Sequence, residues 1–345
     1  MDFRGSHIIS VNQFDRSDLK RLFEVTAKME PYAARKLRTR VLEGCVLGNL
    51  FFEPSTRSRI SFGAAFSRLG GKVCDTTGFQ FSSMAKGESL YDTSRVISGY
   101  VDVIVMRHPV EGSVQEFADA THVPVINGGD GPGEHPTQAL LDLYTIQKEL
   151  GRNLDEIHGL KVAMVGDLKF GRTVHSLSKL LSLFEDVSLT LVSPDELRMP
   201  ADIIEHCRKR GMKIKETTEL YAGISHADVI YTTRVQQERF TDAEEAERHR
   251  GSFVINQHVF EQYCKPDAVL MHPLPRDSRP GAQELSEDLN RNPKLAIFRQ
   301  TDNGIPVRMG LFALVLGVEG EVEKTAEEVR WYAPDSYGVN NSVEV

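Results

Sequence analysis

The chain has 345 residues and a formal net charge of −8, from 49 acidic against 41 basic side chains, so a broad nucleic-acid or anionic-membrane surface is excluded and any anion site must be local. Its 40% hydrophobic and 26% charged residues suit a folded globular protein. At roughly 150 residues per domain the length predicts two domains.

The amino terminus, MDFRGSHIISVNQFDRSDLK, shows no basic stretch followed by an apolar run, and no later run reaches the roughly 18 apolar residues of a membrane span; a cytoplasmic chain is expected. Asp15 or Ser17 can cap a first helix with Leu19, Leu22, Phe23 and Val25 on its buried side. Val46 to Phe52 then reads as a buried strand. Further strands are expected at 72–76, 101–106 and 123–127, separated by helical patterns at 56–68, 88–100 and 113–120. Pro136 to Leu150 reads as a long amphipathic helix stopped by Gly151, after which strands are expected at 161–165, 188–192, 227–233, 252–256 and 268–272. A helical pattern at 305–318 precedes an acidic stretch and a polar tail. The fold class is α/β, with two doubly wound domains that each hold a central parallel sheet flanked by helices. Cys45, Cys74, Cys207 and Cys264 are scattered singly, which predicts buried thiols and no metal or disulfide framework.

Chemistry concentrates where strands end. Glu53-Pro54-Ser55-Thr56-Arg57-Ser58-Arg59 lies between a strand and a helix, where unpaired N–H groups, hydroxyls and an arginine fork suit a phosphate; equally, Ser55 suits a plain helix cap with solvated arginines beside it. Lys86 sits in the mobile-looking composition Ser82-Ser83-Met84-Ala85-Lys86-Gly87, which fits a solvated lysine as well as a site residue. Arg107 ends a strand, the usual ligand edge of an open α/β sheet. His135 and Gln138 flank Pro136 after a glycine-rich turn, where they can polarise a carbonyl oxygen or serve only as polar helix-entry residues. Gly166 to Thr173 nearly matches a phosphate loop, with Arg172 in the lysine place. Arg234 and Gln236 leave a later strand, and His272-Pro273-Leu274-Pro275-Arg276 forms a rigid turn in which a cis Leu274–Pro275 bond can aim backbone carbonyls at an NH2 group.

In order, EPSTRSR, SSMAKGES, MRHP, NGGDGPGEHPTQALLDLYTI, MVGDLKFGRTVHS, TTRVQQERF and HPLPR resemble the aspartate carbamoyltransferase catalytic chain over about residues 8 to 318. The resemblance implies a carbamoyl-phosphate-binding domain at 1–148, an aspartate-binding domain at 149–304, a helix at 305–325 returning to the first domain, and a tail at 326–345. It implies transfer of the carbamoyl group of carbamoyl phosphate to L-aspartate in pyrimidine biosynthesis, by a homotrimer with shared active sites, without cofactor or metal. Ser55, Thr56, Arg57, Ser58 and Arg107 match the phosphate positions. His135 and Gln138 match the carbamoyl positions, and Leu274 with Pro275 the backbone beside the carbamoyl NH2. Ser82 and Lys86 match a loop entering the neighbouring subunit's site, and Arg172, Arg234 and Gln236 the aspartate positions. Thr56, Arg57, Lys86 and His135 are the residues expected to carry catalysis.

The sequence departs from that pattern at Ser58, where threonine is commoner, and at Phe170, where tyrosine is. Asp277-Ser278-Arg279-Pro280-Gly281 replaces the usual residues after Arg276 with a longer stretch. An interface role is expected for Trp331, Tyr332 and Tyr337. Ornithine carbamoyltransferase is the nearest alternative, but its HCLP motif stands here as HPLP; a nucleotide binder or a catalytically silent scaffold are the others. Regulatory or dihydroorotase partners stay open.

Overall fold

A computed structural model describes residues 1–77, 87–236, 251, 253–277, 279 and 281–333. The chain forms two compact units, one from Met1–Leu140 together with the described residues from Asn303 onward, the other from Leu141–Asp302.

In the first unit the strands are β1 (Leu37–Arg38), β2 (Val46–Phe51), β3 (Lys72–Thr77), β4 (Val103–His108) and β5 (Val125–Asp130). The helices are α1 (Arg16–Ala33), α2 (Thr56–Arg68), α3 (Leu90–Ile97) and α4 (Ser113–Asp119), and α5 (Pro136–Glu149) begins there. The main sheet runs β3-β2-β4-β5, every pair parallel. Strands covered on both faces lose polar alternation, and β5 is buried at all its positions. Asp15 caps α1 through a reciprocal bond with Asp18, and Leu19, Leu22, Phe23 and Val25 are buried as expected.

The second unit holds β6 (Lys161–Gly166), β7 (Ser188–Val192), β8 (Lys213–Thr217), β9 (Val229–Thr233) and β10 (Val269–Met271). They form one parallel sheet in the order β10-β9-β6-β7-β8. Its helices are α6 (Arg172–Leu181), α7 (Ala201–Lys209), α8 (Leu220–Ile224) and α9 (Gln257–Tyr263), and α10 (Ile297–Val315) starts in this unit. Reversal of strand order at β6 gives the doubly wound pattern. Within α10, from Asn303, the chain returns to the first unit, where β11 (Glu327–Glu328) pairs antiparallel with β1 and Arg38 bridges to Glu327.

Four expectations need correction. Residues 252–256 form no strand among the described ones: Ile255 makes a single bridge to Leu285, and beside β10 it is Leu295 that bridges Leu270. The last helix starts at Ile297 rather than 305, since its first turns bury polar Gln300 and Asn303 and so carry no apolar stripe. Part of the expected tail is β11, a strand too short for any sequence pattern. Cys74 is exposed, because it lies on the edge strand β3, whereas burial pushes the Cys45, Cys207 and Cys264 thiols up to about 11. Trp331 and Tyr332 are exposed, and Tyr337 lies outside the described residues. Among the described residues no helix is long and apolar enough to cross a membrane.

His108, at the end of β4, is 6% exposed, stands edge-on to Phe52 and accepts the Val110 N–H at Nδ1 (3.1 Å). Burial holds its pKa below the ordinary 6.5, against the pull of Asp130, Glu116 and Glu53. The unfolded chain therefore binds the extra proton first, and the stability that His108 contributes is present above pH 6.5 and lost as pH falls below it. His108→Asn, which keeps an acceptor for Val110, is expected to flatten the fall in unfolding free energy between pH 7 and pH 5.5, by up to about 1.4 kcal/mol per pH unit. Parallel stability curves for the two proteins refute this.

Candidate functional site

In the first unit, β2, β4 and β5 are neighbours and end at the same edge of the sheet. From β2 the chain passes through Glu53 and Pro54 to Ser55, which occupies the N-cap position of α2 in an extended conformation (φ −160°, ψ 92°) yet makes no side-chain capping bond. The first turn of α2 also holds no acidic residue, so its leading N–H groups, beside exposed Thr56 and Arg57 and half-buried Ser58, suit an anion. A helix start is normally closed by a Ser hydroxyl; that this one is not favours the phosphate reading over the plain cap.

Arg107 stands opposite Phe51 in the ladder, and its backbone carbonyl accepts from Phe52 N–H (2.9 Å). Its guanidinium is held by Glu53 (Nη2 to Oε2, 2.8 Å) and donates to the Gly128 carbonyl (3.4 Å). Glu53 carries no role in the sequence reading, and only the adjacency of β2 and β4 reveals it. From β5 the chain enters the glycine-rich turn. Gly131 has φ +50°, and a Cβ there would lie 2.6 Å from Glu111 N, so only glycine fits. The polar residues of this turn are structural: Asp130 accepts from Gly112 N–H, while Glu134 accepts from Val11 N–H and Ser10 Oγ. His135 is 4% exposed at the mouth of α5, with Nδ1 3.5 Å from Thr137 Oγ1, and Gln138 lies in the first turn.

In the second unit, β6 and β9 are parallel neighbours, and their exits carry Arg172 on one side and Arg234 with Gln236 on the other. They are drawn together tightly. Gly166 has φ +113°, and a Cβ there would sit 2.2 Å from the Thr233 carbonyl oxygen. Asp167, fully buried, accepts Phe170 N–H at Oδ1 and Gln236 N–H at Oδ2, both at 2.9 Å. Burial pushes the Asp167 pKa up, and these backbone bonds, with one from Lys169, pull it down. The Gly166–Thr173 loop therefore turns N–H groups inward onto its own carboxylate instead of presenting them to a phosphate, which removes the support for a nucleotide loop. Arg172 is 9% exposed as the first residue of α6, and Arg234 Nη1 donates to the Val235 carbonyl (3.1 Å). After β10, next to β9, Leu274 has φ +58° and its bond to Pro275 is cis, as the sequence suggested.

Ser82 and Lys86 lie outside the described residues. Asp167 is the residue that sequence reasoning missed in this unit: the motif names it, but only the fold shows that it joins two loops.

Asp167→Ala leaves the half-buried Phe170 and Gln236 N–H groups without their acceptor and is expected to lower the unfolding free energy by about 1–3 kcal/mol. It should also disturb the placement of Arg234 and Gln236, because Asp167 holds the Gln236 N–H, and so raise the KM of any substrate that depends on them. Unchanged urea midpoint and KM together exclude the role.

Comparison with known proteins gives two successive matches along the chain. Residues 6–148 match the family model described as "Aspartate/ornithine carbamoyltransferase, carbamoyl-P binding domain", and residues 158–315 the model of the "Asp/Orn binding domain". The chain is 62% identical over 336 residues to an aspartate carbamoyltransferase catalytic subunit of Cellvibrio japonicus, covering 96% of this chain and 98% of that one. A namesake from Saccharophagus degradans is 61% identical over 335 residues, with coverage of 96% and 98%. Among solved structures, aspartate transcarbamoylase from Trypanosoma cruzi in complex with carbamoyl phosphate and aspartate is similar at a TM-score of 0.84 and 39% identity, covering 91% of this chain and 98% of that one. The catalytic subunit of M. Jannaschii aspartate transcarbamoylase is similar at a TM-score of 0.80 and 46% identity, with coverage of 92% and 100%.

Proposed function

The chain belongs to the aspartate/ornithine carbamoyltransferase family, and from that premise we propose how its residues move the carbamoyl group of carbamoyl phosphate onto L-aspartate, giving N-carbamoyl-L-aspartate and phosphate. The observation that carries the reading is the open start of α2, an uncapped helix terminus beside Arg57 with Arg107 on the neighbouring strand. Relatives that are named for aspartate, together with HPLP at 272–275, favour aspartate over ornithine as acceptor.

Both substrates are anions, so fixed cations must offset their repulsion. The phosphate of carbamoyl phosphate rests on the N–H groups of α2, the hydroxyls of Ser55, Thr56 and Ser58, and the guanidinium groups of Arg57 and Arg107. Gln138 and the backbone carbonyls of Leu274 and Pro275 take the carbamoyl NH2. Arg172, Arg234 and Gln236 hold the aspartate carboxylates. The uncharged amine of aspartate attacks the carbonyl carbon; a C–N bond forms and the oxygen becomes an oxyanion, stabilised by Thr56, Arg57 and His135. The C–O bond to phosphate then breaks, and the departing phosphate takes the amine proton. No side chain has to become a nucleophile, so positioning and charge stabilisation supply the rate.

The family resemblance supports a homotrimer in which Ser82 and Lys86 serve the site of a neighbouring subunit, and a cytoplasmic enzyme whose product feeds pyrimidine synthesis. No nucleic acid or membrane is needed as partner, and the reading works without a regulatory or dihydroorotase chain.

Carbamoyl transfer measured with aspartate and with ornithine on the purified chain tests the reading: product is expected with aspartate alone, and product with ornithine alone refutes it. Arg57→Ala should lose about 3 kcal/mol or more of transition-state stabilisation, as when an oxyanion donor is removed; an unchanged kcat/KM refutes its role. Mixing the inactive Arg57→Ala and Lys86→Ala chains, after dissociation and reassembly, is expected to restore part of the activity, because some sites then draw both intact residues from different subunits. Failure of any mixture to regain activity counts against shared sites.

A further inference from the structure

The turn that carries Leu274 is held from behind by a buried acid with no place in the reaction as written. His272, which ends the strand segment before that turn, has a side chain only 1% exposed. Its Nδ1 accepts the Leu274 N–H at 2.8 Å, so the proton of the neutral ring is on Nε2, which donates to Glu284 Oε1 at 2.7 Å. Burial keeps the ring neutral by lowering its pKa, while Glu284 pulls the other way. Glu284 is itself 8% exposed and also accepts the Asp277 N–H at 3.2 and 3.3 Å. On the other side, the His272 N–H donates to Gln300 Oε1 (2.9 Å), and Gln300 Nε2 donates to Asp142 Oδ1 (2.7 Å). Asp142 Oδ2 in turn accepts the Tyr231 hydroxyl (2.7 Å).

These bonds converge on a backbone that L-residues avoid. Leu274 has φ +58°, a left-handed conformation that a residue with a Cβ rarely adopts and that persists only where the surroundings dictate it. The bond from Leu274 N–H to the imidazole fixes the peptide plane between Pro273 and Leu274; the Leu274 carbonyl belongs to the next plane, so its direction follows from that anchor together with the Leu274 dihedral angles. In sequence Glu284 follows Asp277-Ser278-Arg279-Pro280-Gly281, the stretch in which this chain departs from its family pattern, and it accepts the Asp277 N–H from the start of that stretch.

We propose that Glu284 is a positioning residue for carbamoyl transfer, holding His272 so that the Leu274 carbonyl stays aimed at the carbamoyl NH2. This rests on the function assigned above. It makes a prediction of selectivity, because acetyl phosphate carries a methyl group where carbamoyl phosphate has NH2 and can donate nothing to Leu274.

The test uses the full chain, with carbamoyl phosphate as substrate and acetyl phosphate as a competing inhibitor. Glu284→Ala is expected to lower kcat/KM for carbamoyl phosphate by about 10- to 100-fold, the scale of a small misplacement of a reacting group, while the inhibition constant of acetyl phosphate stays within about threefold. Glu284→Asp, which keeps the charge but withdraws the acceptor by one methylene, should show the same selective loss if the alanine variant does not fold. Glu284→Gln, which retains an oxygen for the Nε2–H, should recover at least about tenfold of it. Equal weakening of both ligands means that Glu284 is merely structural and overturns the proposal, as does no change in either. A wild-type chain that carbamoylates no aspartate defeats the assigned function instead, and shows this before any substitution is made.

Discussion

Parallel pairing is the constraint from which the sites follow. In an all-parallel sheet every strand points the same way, so every strand-to-helix turn falls at one edge, and the unpaired N–H groups that begin the helices collect there. In the first unit this brings the open start of α2, Arg107 and His135 to one edge of a single sheet, although 78 residues separate Arg57 from His135 in sequence. In the second it brings Arg172 and Arg234 to the exits of neighbouring strands. A chain of net charge −8 thus gathers positive charge where anions need it, without a basic surface.

What the sheet brings near, buried carboxylates make precise. Asp167 ties the exits of β6 and β9, and Glu284 steadies the turn after β10; neither presents its charge to water. Glu53 does similar work at the sheet of the first unit, fixing one edge of the Arg107 guanidinium. Each acid is satisfied by donors from a segment remote in sequence or across a turn, which is how a buried carboxylate is tolerated. Charge that would be a liability in an apolar interior becomes a means of holding loops at fixed spacing.

The same logic explains what the sequence disclosed. Val46–Phe51, Thr56–Arg68 and Ser188–Val192 stood out because continuous apolar runs and helical periodicity report burial directly. β8 escaped notice because, as an edge strand of sequence KIKET, it offers one aliphatic residue and no pattern. The first turns of α10 were hidden by buried Gln300 and Asn303, whose polarity imitates a loop. Ser55 could be placed at a helix start from sequence, but that its hydroxyl leaves the cap unfilled is a matter of dihedral angle. The positioning acids were illegible for another reason: Asp167 is met by backbone N–H groups, which every residue has and no motif records, and the side-chain partners of Glu53 and Glu284 come within reach only through the fold.

The return of the chain to its first unit also sets an order in time. Phe62 and Phe66 of α2 pack edge-on against Phe312 of α10, and Arg308 lies over the Phe62 ring while donating to Ser61. The unit that these contacts complete is interrupted by the whole of Leu141–Asp302. On the ribosome, at roughly 5–20 residues per second, Phe62 and Phe66 wait on the order of ten seconds or more after Leu140 is made before Phe312 exists. The inserted unit, continuous in sequence, has all of its strands synthesised before that moment. The unit that holds Met1 is therefore the last to be finished.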